Sequence, residues 1–290
     1  MKECITFVLG GGGSRGALQV GALKALFDIG IKPDLLVGSS IGAVNAAGLA
    51  LWGVDLKAIE KLEDAWNEMA DAQILDPRIS RLLLKTMVGY QNDRTRRRVE
   101  EYFVSKGFLH ELQFNAITNV KLALISSDIE SGQVMIFGKS PDDRILEGIL
   151  SSIALPPWFS PHQINEQIMV DGGALSNVPI EPAIQLGATE IFAFDLDDPT
   201  SLSQDDHSFS NYFLKYLYAL NRRHVYLETS LAKAQGIPVH RFTFEGVSSK
   251  PIWDFSEEKK LIRKGYQITK EKLEAWGYQK QSTYQVNHAE

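Results

Sequence analysis

The sequence predicts an α/β fold with a central, mostly parallel sheet, and three observations carry that prediction. Short apolar runs alternate with longer stretches of helical apolar spacing; the first two runs each end in a glycine-rich turn that opens into a helix; and 290 residues with 44% hydrophobic and 23% charged side chains suffice for a full core. Ile5 to Leu9 reads as the first strand, and Ala17 to Ile29 follows as a helix closed by Gly30. Asp34 to Val37 reads as a second strand, running through Gly38-Ser39-Ser40-Ile41-Gly42 into an Ala-rich helix that ends near Trp52. Further strands are expected at Val120 to Ser126, Val134 to Phe137, Gln167 to Val170, Glu190 to Phe194 and Val239 to Phe244. Asp195 to Ser210, rich in Asp, Ser and Pro, reads as a linker or a surface loop.

Charge and composition bound the function. A net charge of −6 argues against nucleic acid as a partner, because phosphate contacts need a basic surface. The single cysteine, Cys4, cannot form an intramolecular disulfide; inside an apolar run it reads as a buried, inert thiol, consistent with a reducing compartment. The apolar run after Cys4 is too short for a signal-peptide core, and no stretch approaches the ~20 apolar residues of a membrane span. A cytoplasmic protein that touches membranes only by its surface is the expectation.

Gly38-Ser39-Ser40-Ile41-Gly42 is a G-x-S-x-G between a short strand and a small-residue helix. A sharp turn there lifts the Ser40 hydroxyl clear of the sheet, and the following helix brings free N–H groups and partial positive charge to where an oxyanion would form. An isolated G-x-S-x-G would be no more than a helix-capping turn; the strand and helix around it make Ser40 a candidate nucleophile.

Gly10-Gly11-Gly12-Gly13-Ser14-Arg15-Gly16 formally contains G-x-G-x-x-G, yet a dinucleotide site would need an acid at the end of the second strand, where Gly38-Ser39-Ser40 stands instead. No Gly-Lys-Ser/Thr follows, so a P-loop also fails. What remains is a loop aiming backbone N–H groups at an oxyanion beside Ser40, since neighbouring parallel strands open on one rim. Arg15 either anchors that loop or adds charge to it.

Two bases are open at this point. Asp171 ends the apolar run Ile168-Met169-Val170 and enters Gly172-Gly173, which is either a carboxylate delivered by a strand or a turn-forming Asp-Gly. In a Ser-acid-His order, His207, His224, His240 and His288 are eligible, although none sits in a motif-like setting.

Taken together, GGGSRG, GSSIGA and DGG in that order resemble the patatin-like phospholipase family. Ser152 to Pro161 (SIALPPWFSP), Asn177 to Pro182 (NVPIEP) and Asp128 to Gly132 (DIESG) resemble further segments of it. The likeness covers about Ile5 to Leu196, and Leu9-Gly10 replaces the family's usual aspartate before the glycines. The resemblance implies a three-layer α/β/α fold, a catalytic domain over residues 5–196, and a helical extension over 197–290 packed on the same core. It also implies Ser40 as nucleophile, Asp171 as base, and the backbone of Gly11, Gly12 and Gly13 with Arg15 as the oxyanion apparatus. A phospholipid or other acyl ester would be the substrate, with transient membrane contact and no cofactor or metal. A non-catalytic lipid-binding module and a Ser-His-Asp esterase are the alternatives.

Two more segments carry expectations. Arg94-Thr95-Arg96-Arg97-Arg98 begins a helix running to about Lys106 and reads as a solvated charged face, and Phe209 to Leu231 carries apolar residues at helical spacing that suit a core-packed helix better than a membrane-inserting lid.

Overall fold

The structure, a computed structural model, describes residues 3–72, 93–156, 158–202, 205–247, 250–251 and 253–278. The expected strand–turn–helix start is present. β1 (Ile5–Leu9) leads through a short 3-10 turn into α1 (Gly16–Asp28), and β2 (Leu35–Ser39) leads through Ser40 into α2 (Ile41–Trp52). After α3 (Leu56–Ala72) and α4 (Asp93–Ser105) come β3 (Lys121–Asp128), β4 (Gln133–Phe137) and α5 (Ile145–Ser152). Next are β5 (His162–Ile164), β6 (Gln167–Asp171), α6 (Ile180–Gln185) and β7 (Glu190–Asp195); α7 (Phe209–Ala234), β8 (Val239–Thr243) and α8 (Glu258–Ala275) complete the order.

One eight-stranded sheet runs β5-β6-β3-β2-β1-β7-β8, with β4 added on β3. The five strands from β3 to β8 are parallel, while β4 and β6 run antiparallel to β3, and β5 to β6. The fold is therefore α/β with a central mixed, mostly parallel sheet flanked by helices. Two apolar clusters cover its faces, one including Phe7, Leu9, Leu36 and Phe194 beneath α1 and α2, the other Val8, Val37, Ile191 and Ala193 beneath α6 and α7. The alternation of neighbours such as Phe7 and Val8 between the clusters is the period-2 geometry of a strand buried on both faces.

β3 aligns the site. Its residues Lys121 to Ile125 pair with β2, and Ser126 to Asp128 pair with β6 along the same edge, because β4 occupies the other edge from Leu124 onward. The C-terminal ends of β2 and β6 thus meet head to head. Ser39 pairs with Ile125 and Asp171 with the next residue, Ser126.

Three expectations need correction. Cys4 is half-buried at the start of β1 rather than fully enclosed. Asp195 to Ser210 is not a linker: β7 extends through Asp195, and Leu196 and Asp198 are buried. The helix from Phe209 is turned around, since most of its large apolar residues, among them Tyr216, Leu217, Leu220, Tyr226 and Leu227, are exposed, while Val225 packs into the core and Asn211 is buried. Beyond Leu196, the strand expected at Val239 to Phe244 joins the sheet as β8, and α8 packs along α1.

Candidate active site

Ser40 occupies the sharp corner between β2 and α2. Its backbone lies at φ 54° and ψ −127°, a region costly for a side-chain-bearing residue. The surroundings hold it there. Its N–H donates to Ser152 Oγ at 2.9 Å, and the Ser152 hydroxyl donates onward to the Ile125 carbonyl. Gly42 lets the corner close, because a Cβ at that position would overlap the Leu9 carbonyl oxygen. Gly172 does the same opposite, where a Cβ would run into the Ile125 carbonyl oxygen.

The head-to-head meeting of β2 and β6 brings the two candidate residues together. Ser40 Oγ donates to Asp171 Oδ2 at 2.6 Å, and Asp171 Oδ1 accepts the Gly173 N–H at 2.8 Å. Asp171 is 5% exposed. Burial pushes its carboxyl up to about 6, against the lowering effect of the Ser40 and Gly173 hydrogen bonds. The group is a stronger base than a solvated carboxylate and is still mostly ionised at neutral pH.

The glycine loop is braced from below. Gly10 N–H donates to Phe194 O at 3.1 Å and Gly11 N–H to Asn177 O at 3.0 Å. Gly11 was expected to donate to an oxyanion along with its neighbours, but its N–H is spent on Asn177. Among the described residues, the N–H groups of Gly12 and Gly13 carry no such commitment, and Ile41 begins α2, where the first N–H groups have no partner within the helix. Of the two roles expected of Arg15, its contacts match the anchoring one. It is 4% exposed, and its guanidinium reaches Leu196 O and Tyr218 Oη, each at 3.4 Å, and Asp198 at 3.9 Å. It anchors the loop to the segment after β7.

A buried polar chain completes the bracing. Gln19 donates to Gly10 O at 2.8 Å, Asn45 to Gly16 O at 3.0 Å and to Gln19 Oε1 at 2.9 Å, and Trp66 Nε1 to Asn45 Oδ1 at 2.9 Å. Sequence reasoning missed Ser152, Asn177 and this chain. The available signal was polar residues inside apolar helices, Gln19 in α1 and Asn45 in α2.

Ser40 and Asp171 open onto a pocket whose other walls are apolar: Ile41 and Val44 of α2, Met69 of α3, Val99 and Phe103 of α4, Leu155, Trp158 and Phe159 after α5, and Phe255. Tyr102 also lines it, but its hydroxyl donates to Ala65 O at 3.0 Å, and burial reinforced by Glu68 holds the phenol well above its usual range. The pocket suits a hydrocarbon chain with one reactive end.

Among the described residues, no histidine pairs with Ser40 or Asp171. His162 Nδ1 pairs with Arg96 at 2.6 Å, and burial, helped by the Arg96 charge, lowers its ring to about 4, so it is neutral and accepts. His207 pairs with Tyr212 at 3.1 Å, and His240 with Glu190 at 2.8 Å while stacking on Phe192. His224 is half-buried on α7, and His288 lies outside the described residues. In the basic run, Arg97 and Arg98 are exposed, as expected of a solvated face.

Comparison with known proteins gives the same family as the motifs. The family model described as "Patatin-like phospholipase" matches residues 7–184. A patatin-like phospholipase domain-containing protein of Caenorhabditis elegans is 24% identical over 94% of this chain and 26% of its own length. A lysophospholipase of Meyerozyma guilliermondii is 27% identical over 71% of this chain and 14% of its own, and human patatin-like phospholipase domain-containing protein 6 is 27% identical over 72% and 15%. The chain therefore spans only about a quarter or less of these relatives. In fold it is similar to VipD from Legionella pneumophila, with a TM-score of 0.50 at 14% identity, over 94% of this chain and 67% of that one. With the family model matching residues 7–184, a span that includes both Ser40 and Asp171, the chain belongs to the patatin-like phospholipases.

Proposed function

We propose that this chain is a lipid acyl hydrolase, cleaving carboxylic esters of phospholipids or lysophospholipids with Ser40 as nucleophile and Asp171 as the base. The observation that carries the reading is the 2.6 Å hydrogen bond from Ser40 to a buried carboxylate at the end of an apolar pocket. Asp171 takes the Ser40 proton as Oγ bonds to the acyl carbonyl carbon, and the carbonyl π pair becomes the oxyanion. The N–H groups of Gly12, Gly13 and Ile41 receive that charge, aided by the N-terminal end of α2. Collapse of the intermediate breaks the bond to the alkoxy oxygen, which leaves with the proton from Asp171. Water then repeats the cycle, losing its proton to Asp171 and releasing the fatty acid from the acyl-enzyme.

A carboxylate is a weak base towards a serine hydroxyl, so the rate rests on positioning and preorganised donors more than on basicity. The raised Asp171 carboxyl narrows that mismatch. The lipid reading is supported by the apolar pocket walls and by the names of the relatives. The deciding experiment is labelling with a fluorophosphonate followed by peptide mapping. The modified peptide is expected to contain Ser40, and Ser40→Ala should abolish both labelling and p-nitrophenyl ester hydrolysis. A fully labelled Ser40→Ala protein would remove the reading.

A further inference from the structure

The helix α7 keeps most of its large apolar side chains on the outside. Its inward stripe sets Val225 and Ala232 against the core beside polar groups: Asn211 is buried, Tyr218 Oη meets Arg15, and Glu228 accepts from Ser176 Oγ at 3.0 Å and from Glu181 N at 2.8 Å. The outward stripe is apolar, with Tyr216 58%, Leu217 39%, Leu220 40%, Tyr226 61%, Leu227 47% and Leu231 38% exposed. A run of this kind on a protein surface needs a partner.

Position and charge identify it. α7 ends beside the start of the sheet, where Ile237 N–H bonds to Ala232 O and β8 pairs with β7. Its 26 residues span about 39 Å, whereas a six-residue strand such as β7 covers about 20 Å, so the N-terminal part of the helix lies beyond the rim that carries Ser40. Tyr218 marks the crossing, because Arg15 belongs to the glycine loop of that rim. In a chain of net charge −6, this helix has four cations, Lys215, Arg222, Arg223 and Lys233, and one acid, Glu228, which is bonded inward. Lys215 lies over the Tyr212 ring and Arg223 over the Tyr226 ring, so cations and tyrosines flank the leucines.

We infer that α7 is the surface by which this protein docks on anionic lipid bilayers, its tyrosines and leucines entering the headgroup boundary and its cations meeting lipid phosphates. The combination is that of a helix lying in a membrane interface. A second copy fits less well, since facing α7 helices would set cation against cation without an outward acid to pair them. No described helix is long and apolar enough to cross a membrane, so the attachment is peripheral as far as those residues go. Docking brings the rim carrying Ser40 to the bilayer, and this deepens the lipid hydrolase reading above, on which its role in catalysis rests.

The test is flotation of the full chain with vesicles of equimolar phosphatidylcholine and phosphatidylglycerol, and with phosphatidylcholine alone. Wild type should float with the anionic vesicles, more weakly with neutral ones, and less as salt rises. The pair Leu217→Ser with Leu220→Ser should lower partitioning about tenfold or more, as should Lys215→Glu with Arg223→Glu, while hydrolysis of soluble p-nitrophenyl butyrate stays within about twofold of wild type. The charge pair keeps the test decisive if the leucine pair misfolds. Vesicle binding equal to wild type in the folded variants overturns the proposal. So does a wild-type dimer in analytical ultracentrifugation that the leucine pair converts to monomer without altered vesicle binding, because a second copy then covers the stripe. If wild type neither hydrolyses the soluble ester nor takes the fluorophosphonate, the hydrolase reading fails, while flotation still decides the docking surface.

Discussion

At Ser40 the chain holds a left-handed backbone whose cost, about 1–3 kcal/mol, must be met by its neighbours. The Ser152 hydroxyl contributes by accepting the Ser40 N–H, and β3 by fixing Asp171 one pairing position beyond Ser39. What the hydroxyl can do then depends on the protonation of Asp171. A base held at about 6 by burial predicts that kcat/KM on a soluble ester rises with pH along a single ionisation near 6 and levels above 7. Asp171→Asn should lose activity by about a hundredfold or more and lose this limb of the profile. A wild-type profile flat from pH 5 to 8 would remove Asp171 as the titrating base. Of the histidines, His162 is the informative control, because β5 pairs it with Met169 two residues before Asp171. Its ring is neutral and bound to Arg96, so His162→Ala is expected to leave kcat within a fewfold of wild type, any change falling on KM. A loss of kcat as large as that of Ser40→Ala would reinstate a histidine in the relay.

Helices α1, α2 and α3 hold the glycine loop through Gln19, Asn45 and Trp66, three buried polar groups whose donors and acceptors close on one another and on the loop carbonyls. Removing one member leaves the others unsatisfied in an apolar setting. Asn45→Leu is therefore expected to destabilise the fold by about 1–3 kcal/mol in urea melts and to lower kcat more than it raises KM, since it loosens the loop and not the pocket walls. An unchanged kcat would mean that the loop keeps its place without the chain. This brace was not legible because a single Gln or Asn in an apolar helix gives no hint of its partner. β1, β2 and the turns after them were legible almost to the residue, since strand, glycine turn and helix follow without interruption. Strand direction was not: β4 and β6 show the same short apolar runs as parallel strands, and β5, three residues long, has no period to detect. For α7 the period was right and the side wrong. Helical spacing shows that apolar residues share a stripe, but which stripe faces the protein is set here by Arg15 and Ser176, which take Tyr218 and Glu228 as partners.

Across the whole molecule, burial raises Asp195 at the end of β7 above the ordinary carboxyl range, and three further carboxyls around the rim titrate above it as well. Burial raises Asp171 to about 6, Asp197 to about 7 with help from the neighbouring Asp195 charge, and Glu228 to about 7. For a carboxyl raised in the folded state, the stabilising difference is complete below the unfolded value near 4 and is lost as pH rises through the folded value. His162 acts in the opposite direction. Lowered to about 4, it contributes stability that is present above its unfolded value near 6.5 and lost as pH falls towards 4, so below 6.5 it offsets part of the carboxyl effect. Above 6.5 the unfolded histidine gives up its remaining protons and this offset fades, while Asp171 is largely ionised and Asp197 and Glu228 are still losing protons. From about pH 6.5 to 8 the fall in stability therefore rests chiefly on the raised carboxyls, Asp195 among them, each with a slope of at most ~1.4 kcal/mol per pH unit. Calorimetry should find Tm falling across that window. Glu228→Gln keeps an acceptor for the Glu181 N–H and a hydrogen-bonding partner for Ser176, so it should fold and show a shallower fall, with higher stability than wild type at pH 8. A Tm that holds level or rises from pH 6.5 to 8 in wild type would mean that these carboxyls are ionised at no cost, and that water or a rearranged Arg15 compensates them.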